Sequence, residues 1–217
     1  MLKLFDTHCH INDERFQSDR AEVIARMREA GIRRAVVVGD GALSPSDAFA
    51  LARENDFLYA AAGVHPHDAS LWTDAHPRLI REWMAMDKVV ALGEIGLDYH
   101  YDLSPRSVQK EVFDRQLDLA YELDKPVILH IREAHGDTTD ILLARARAGR
   151  MPRGVMHCYT GSWESAKTYL NLGLYISFSG ALTFKNAPKL WEVAEKAPLD
   201  RLLIETDCPY MAPVPFR

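Results

Sequence analysis

Val89-Val90-Ala91-Leu92-Gly93-Glu94-Ile95 is an apolar run interrupted only by a glycine and a carboxylate, and a second apolar run, Val127-Ile128-Leu129-His130-Ile131, follows it after one helix-sized segment. Neither run alternates apolar with polar residues, which is how parallel strands covered on both faces read. Between them, Ser104-Pro105 offers a capping hydroxyl ahead of a first-turn proline. Val112, Gln116, Leu119, Ala120 and Leu123 then recur at helical spacing before Pro126. The same unit repeats in both directions. Further strands are expected at Leu4–His8, Ala35–Gly39, Leu58–Val64, Gly154–Tyr159, Tyr175–Ser179 and Leu202–Thr206, making eight in all. Helices are expected from Ser18 or Asp19 to Gly31, after Ser44-Pro45, from Thr138 or Thr139 to Gly149, from Ser162 to Gly173 and from Asn186 to Ala197. An alternating series of eight strands predicts a (β/α)8 TIM barrel, a single domain over residues 1–217. A doubly wound open sheet is the rival, and it rarely needs eight strands in so few residues. Barrels of this type take about 250 residues, and only Cys208–Arg217 follow the eighth strand. The expected barrel is therefore C-terminally incomplete, lacking its closing helix.

The 217 residues carry 26 Lys+Arg against 31 Asp+Glu, a net charge of −5, with 47% hydrophobic residues. Such proportions exclude a wholly disordered, collagen-like or disulfide-scaffold chain. They also exclude a global basic field, so a bound polyanion must be held by local groups or metal ions. Met1–Phe5 is too short for a signal-peptide core and Asp6 closes it, while the uncharged run Thr168–Phe184 is too polar to span a membrane. Cys9, Cys158 and Cys208 cannot all pair within one chain and form no Cys-x-x-Cys. They read as small buried hydrophobes in a reducing, cytoplasmic protein with no membrane and no obligate protein partner. The basic stretches Arg26–Arg34 and Arg145–Arg153 read as solvated surface rather than a nucleic-acid track. Nucleophile-elbow, phosphate-loop and dinucleotide-binding signatures are absent from the sequence.

The chemistry gathers at strand ends. Asp6, His8 and His10 alternate, so a strand puts all three on one face, and a His-x-His pair can ligate one metal. Glu94 is expected to end the fourth strand, His130 the fifth, His157 the sixth and Asp207 the eighth. In a parallel barrel these positions share the C-terminal rim, where such enzymes build their sites. Four histidines and two carboxylates there form a ligand set for two divalent ions. Each alone has a plainer explanation: His130 as a satisfied core histidine, Asp207 as a turn cap. Their joint placement does not, because unpaired carboxylates are costly to bury.

Asp6-Thr7-His8-Cys9-His10, Gly63-Val64-His65-Pro66-His67, Gly93-Glu94-Ile95-Gly96-Leu97-Asp98, His130-Ile131-Arg132-Glu133-Ala134, His157-Cys158-Tyr159-Thr160-Gly161 and Glu205-Thr206-Asp207-Cys208-Pro209-Tyr210 together resemble the TatD family. These are metal-dependent hydrolases and deoxyribonucleases of the amidohydrolase-like superfamily, and the match runs from Leu4 to Arg217. The resemblance implies that His8 and His10 bind one metal together with Asp207. It implies that Glu94 bridges to a second metal, held by His130 and His157. It further implies a deoxyribonuclease, exonucleolytic, cleaving phosphodiester bonds of a DNA substrate at single strands or 3′ ends, with Glu94 and Asp207 catalytic. Asp207 would orient the attacking water or take its proton. His65 and His67 are expected to face the substrate, a plain turn around Pro66 being the alternative. Arg132 is expected either as a phosphate ligand or in a surface salt bridge, with Lys185 a more remote phosphate candidate. A further basic loop and terminal helices would follow Arg217 by the same resemblance. The two ions are read as Mg, Mn or Zn: imidazole-rich ligation suits Zn, Mn, Fe or Ni, whereas nucleases commonly use Mg. Two other functions fit the same residues. One is hydrolysis of a carbonyl substrate such as an amide, lactone or aminoacyl-tRNA ester; the other is a non-catalytic barrel that only binds.

Overall fold

Eight strands pair in chain order, every neighbouring pair parallel, in a computed structural model that describes residues 3–39 and 45–217. They are β1 (Leu4–Cys9), β2 (Ile32–Val38), β3 (Leu58–Ala62), β4 (Val89–Asp98), β5 (Val127–Arg132), β6 (Gly154–Met156), β7 (Tyr175–Phe178) and β8 (Leu202–Ile204). The helices between them are α1 (Arg20–Glu29), α2 (Ser46–Glu54), α3 (His76–Met84), α4 (Arg106–Glu122), α5 (His135–Arg147), α6 (Trp163–Asn171) and α7 (Pro188–Lys196). The chain is thus a TIM barrel, as its sequence predicts, with eight parallel strands and, among the described residues, seven α-helices between them.

Two apolar layers bury the strands β2 to β6 on both faces. Ala35 and Val37 of β2, Leu129 of β5 and Met156 of β6 pack in one cluster with Phe49, Ile80, Trp83, Phe113 and Leu117 of the helices. Val36, Val38, Ala61, Ala91, Ile128 and Val155 form a second cluster that fills the barrel. Burying a side chain of Val, Leu or Phe size contributes about 1.5–3 kcal/mol, so β2 to β6 are held from both sides, whereas β8 has no fully buried residue and Ile204 is exposed.

The barrel closes between β1 and β8 by a different device from the other pairs. Toward the C-terminal rim, the Asp207 N–H donates to the His8 carbonyl (2.9 Å) and the His10 N–H to the Cys208 carbonyl (2.8 Å). Below them Thr206 donates through its N–H (3.0 Å) and hydroxyl (2.7 Å) to the two oxygens of Asp6, and the Thr7 hydroxyl donates to the Ile204 carbonyl (3.0 Å). Asp6 therefore clasps the seam. Burial pushes its carboxyl up to about 6, against bonds from Thr206 and the His8 N–H that favour its charged form.

Several expectations need correction. β4 does not stop at Ile95 but runs to Asp98, whereas β6 and β8 stop short of His157 and Asp207. α5 begins at His135 rather than Thr138. α3, with Pro77 in its first turn and Ile80, Trp83 and Met84 buried, was not anticipated. The Ser104 hydroxyl does not cap α4; it donates to the His67 carbonyl (2.7 Å) and accepts the Ser70 N–H (3.0 Å), tying down the loop after β3. Ser162 does cap α6, accepting the Ser165 N–H. The anticipated Ser44 cap lies outside the described residues. Arg145 is not solvated surface: it is buried between α5 and α4, paired with Asp114 (2.7 Å) and Asp118 (2.9 Å). Among the described residues no helix is long and apolar enough to cross a membrane.

Candidate metal centre

Strand parity aims the candidate ligands inward. Cys9 packs in the outer layer, so His8 and His10 on either side of it turn into the barrel. Ile128 and Val155 fill the interior, and two residues on, the same parity delivers His130 and His157 above them. Glu94 rises from β4 between two glycines with little room around them. A Cβ on Gly93 would lie 2.6 Å from the Ile128 Cβ, and one on Gly96 would run into the His130 carbonyl oxygen, at a φ of +147°. β5 can approach β4 this closely around Glu94 only without those side chains.

Glu94 sits at the middle of the cluster with one oxygen toward each half. Its Oε2 lies 3.5 Å from His8 Nε2 and 3.8 Å from His10 Nε2, while its Oε1 lies 2.7 Å from His130 Nδ1 and 2.8 Å from His157 Nε2. Asp207 Oδ1 stands 3.6 Å from His10 Nε2 and 3.8 Å from His8 Nε2, and the two Nε2 atoms are 3.0 Å apart. His8, His10 and Asp207 thus form one group able to hold a cation, and Glu94, His130 and His157 another. Metal bonds of about 2.0–2.2 Å separate the ligand atoms of one ion by about 2.8–3.6 Å, close to the spacings seen here. The donor set fits divalent metal. It brings together all six residues expected from the sequence: His8, His10, Glu94, His130, His157 and Asp207.

Burial shapes the protonation of the centre. It would push the Glu94 carboxyl up, but the charge of His157 and hydrogen bonds from His130 and His157 hold it well below the usual range. Burial lowers His8, reinforced by the charge of His157, which keeps its ring neutral and able to ligate. Burial works the same way on His157, yet Glu94 and Glu205 overcome it and raise that ring well above its ordinary value.

Two carboxylates, Asp98 and Glu205, support these rings in ways the sequence reading did not assign. Asp98, fully buried at the end of β4, places Oδ2 2.9 Å from His67 Nε2 and 3.0 Å from His130 Nε2. Its other oxygen accepts the N–H groups of His100 and Tyr101. Glu205 Oε1 lies 3.2 Å from His157 Nδ1 and accepts the Cys158 N–H at 2.6 Å. Carboxylates behind ligating histidines fix the tautomer and ring orientation. Asp6, on the same strand face as His8 and His10, serves the seam instead.

The rim residues divide. His65 and His67 do reach the centre: His65 Nε2 lies 3.8 Å from Glu94 Oε1, and with His130 the pair makes a further group able to hold a cation. Pro66 opens a short 3-10 turn whose first N–H groups include that of His67, donated to His65 Nδ1. Arg132 ends β5 with its guanidinium 4.7 Å above the Tyr101 ring, beside the centre. Lys185 is exposed in the connection from β7 to α7. Cys9 is buried, and Cys158 and Cys208 are half-buried free thiols.

Comparison with known proteins agrees with this geometry. Residues 5–217 match the family model described as TatD related DNase. An uncharacterized metal-dependent hydrolase of Bacillus subtilis, YabD, is 47% identical over 214 residues, 99% of this chain and 83% of that protein. A protein of Pantoea ananatis named 3'-5' ssDNA/RNA exonuclease TatD is 38% identical, over 99% of this chain and 82% of its own length. The crystal structure of YjjV, a TatD homologue from Escherichia coli K12, superposes with a TM-score of 0.88 at 35% identity, covering 97% of this chain and 81% of that one.

Proposed function

The chain belongs to the TatD family of metal-dependent hydrolases, and we propose that it is a nuclease, hydrolysing phosphodiester bonds of single-stranded nucleic acid from the 3′ end at a two-ion centre. The observation that carries the reading is Glu94, buried with one oxygen toward His8 and His10 and the other toward His130 and His157. A carboxylate so placed can bridge two cations. When bound, two divalent ions such as Mg, Mn or Zn supply Lewis acidity and a lowered water pKa. His8, His10 and Asp207 would hold one, and His130 and His157 the other. Asp207 would orient the attacking water or accept its proton, with its Oδ1 3.6 Å from His10 Nε2. Asp98 and Glu205 keep the rings of His130 and His157 oriented while charge builds on the phosphoryl oxygens. His65 lies on the Glu94 side and Arg132 beside Tyr101, and we assign both to the substrate phosphates. The direction of degradation follows from likeness to the Pantoea exonuclease. Residues 1–217 act in this reading as a single hydrolase domain, and three free thiols suit a reducing cytoplasm.

The test is degradation of end-labelled single-stranded DNA by metal-stripped protein with Mg²⁺ or Mn²⁺ restored. A metal-dependent ladder shortening from the 3′ end is expected. A folded, metal-loaded protein that leaves the DNA intact refutes the nuclease reading and moves the substrate to carbonyl compounds, with amides and lactones assayed next.

A further inference from the structure

Tyr101 and Tyr210 stand on opposite sides of the metal centre. Tyr101 follows β4 and Tyr210 follows β8, and strands four apart in an eight-stranded barrel face each other across its mouth. Large aromatic rings usually bury themselves, yet these are 55% and 49% exposed. Each meets a histidine of the centre edge-on: Tyr101 meets His67 at 5.4 Å between ring centroids, and Tyr210 meets His10 at 6.0 Å. Each is also backed by a guanidinium, Arg132 at 4.7 Å from the Tyr101 centroid and Arg15 at 4.3 Å from that of Tyr210. Arg15 is itself fixed by two bonds to Asp13, at 2.9 and 2.8 Å. Arginine–aromatic pairs occur elsewhere on this surface, as at Arg28–Phe57 and Arg201–Tyr175. The two at the rim differ in that each ring also meets a histidine of the cluster.

We propose that Tyr101 and Tyr210 are base-stacking platforms, one on each side of the scissile phosphate, that grip the two nucleobases flanking the bond to be cut. The inference rests on the nuclease reading and adds how the strand is held on an acidic protein. Every base offers a π-face, so platforms of this kind tolerate sequence. The arginines hold the rings in place and add charge next to the phosphates. The grip selects single strands, because a base in a duplex is already stacked and paired.

The experiment uses a single-stranded oligonucleotide carrying 2-aminopurine, whose fluorescence falls when it stacks on an aromatic ring. Tyr101→Ala and Tyr210→Ala are each expected to raise KM on the order of ten- to a hundredfold and to lose the quenching, while Tyr101→Phe and Tyr210→Phe restore both. Tyr101→Leu, apolar but without a π-face, behaves as the alanine variant. Circular dichroism checks that each variant is folded, which surface positions of this exposure allow. Cleavage by the parent protein with KM and quenching the same in the alanine variants overturns the platforms and leaves the nuclease reading standing. Quenching that the alanine variants lose, without cleavage by the parent, supports the platforms and overturns the nuclease. No binding and no cleavage by the parent overturns both.

Discussion

Gln116→Leu isolates what a buried side chain does for the position of His65. Gln116 is fully buried on α4 and takes the place of a neighbouring strand for Val64, just past the end of β3. The Val64 N–H donates to its Oε1 at 2.8 Å and its Nε2 donates to the Val64 carbonyl at 2.9 Å. Leucine matches the volume and keeps the helix but leaves both backbone groups buried without partners. Each orphaned group costs about 1–3 kcal/mol, and the added apolar burial returns about 1 kcal/mol. The net loss is about 3 kcal/mol, which for a chain of this size lowers Tm by about 6–12 °C. Urea unfolding followed by circular dichroism measures it, the midpoint falling while the slope stays constant. Gln116→Glu should behave differently: the protonated acid can still donate to the Val64 carbonyl, so that variant recovers stability as pH falls and loses it as pH rises through its raised pKa. A leucine variant within 1 kcal/mol of the parent would show that Val64 finds other partners and that α4 does not hold this rim.

Other perturbations report on the centre itself. Glu94→Ala should abolish hydrolysis and weaken binding of divalent metal, measured by turnover and by calorimetry; normal turnover by this variant would sink the two-ion mechanism. Asp98→Asn keeps the size of a side chain that faces two histidine rings at once, and should cost about 10–100-fold in metal affinity or activity; full retention in both assays would make Asp98 a loop anchor only. Divalent metal at about 100 times its Kd should stabilise the metal-stripped protein by about 2.7 kcal/mol, about 5–11 °C in Tm, and a flat melting curve would deny a resident ion. Arg145→Ala should destabilise by about 1–3 kcal/mol, less than a fully buried pair because Asp114 is 55% exposed on its side chain; an unchanged urea midpoint would mean that α4 and α5 hold together without it.

The alternation of strands and helices was readable because burial on both faces leaves little choice but continuous apolar runs. The six candidate ligands were readable for a related reason, since charged and titratable residues stood at or near the ends of those runs. Asp98 was quoted within its motif yet left without a role. The glycine at 96 reads as a strand end, whereas its positive φ accommodates the His130 carbonyl and the strand continues to Asp98. With that continuation, Glu94 and Asp98 share a face by the same parity that aligns His8 and His10. Ser104 and Arg145 were misread for a different cause. A hydroxyl before a helix and an arginine on a basic helix have common local uses, and only tertiary neighbours, the His67 carbonyl and Asp114, redirect them. α3 did carry a signal, Pro77 ahead of Leu79, Ile80, Trp83 and Met84.

The clasp of Asp6 on Thr206 joins residues 200 positions apart. His8 and His10 emerge from a ribosome about 200 residues ahead of Asp207. At about 5–20 residues per second the early histidines wait roughly 10–40 s for that carboxylate. Throughout synthesis the nascent chain carries only part of a centre, with its first strand unpaired on one edge. A polypeptide released early, or clipped before residue 205, forfeits the seam and a ligand together. Prematurely terminated copies therefore lack both the seam and a complete candidate centre.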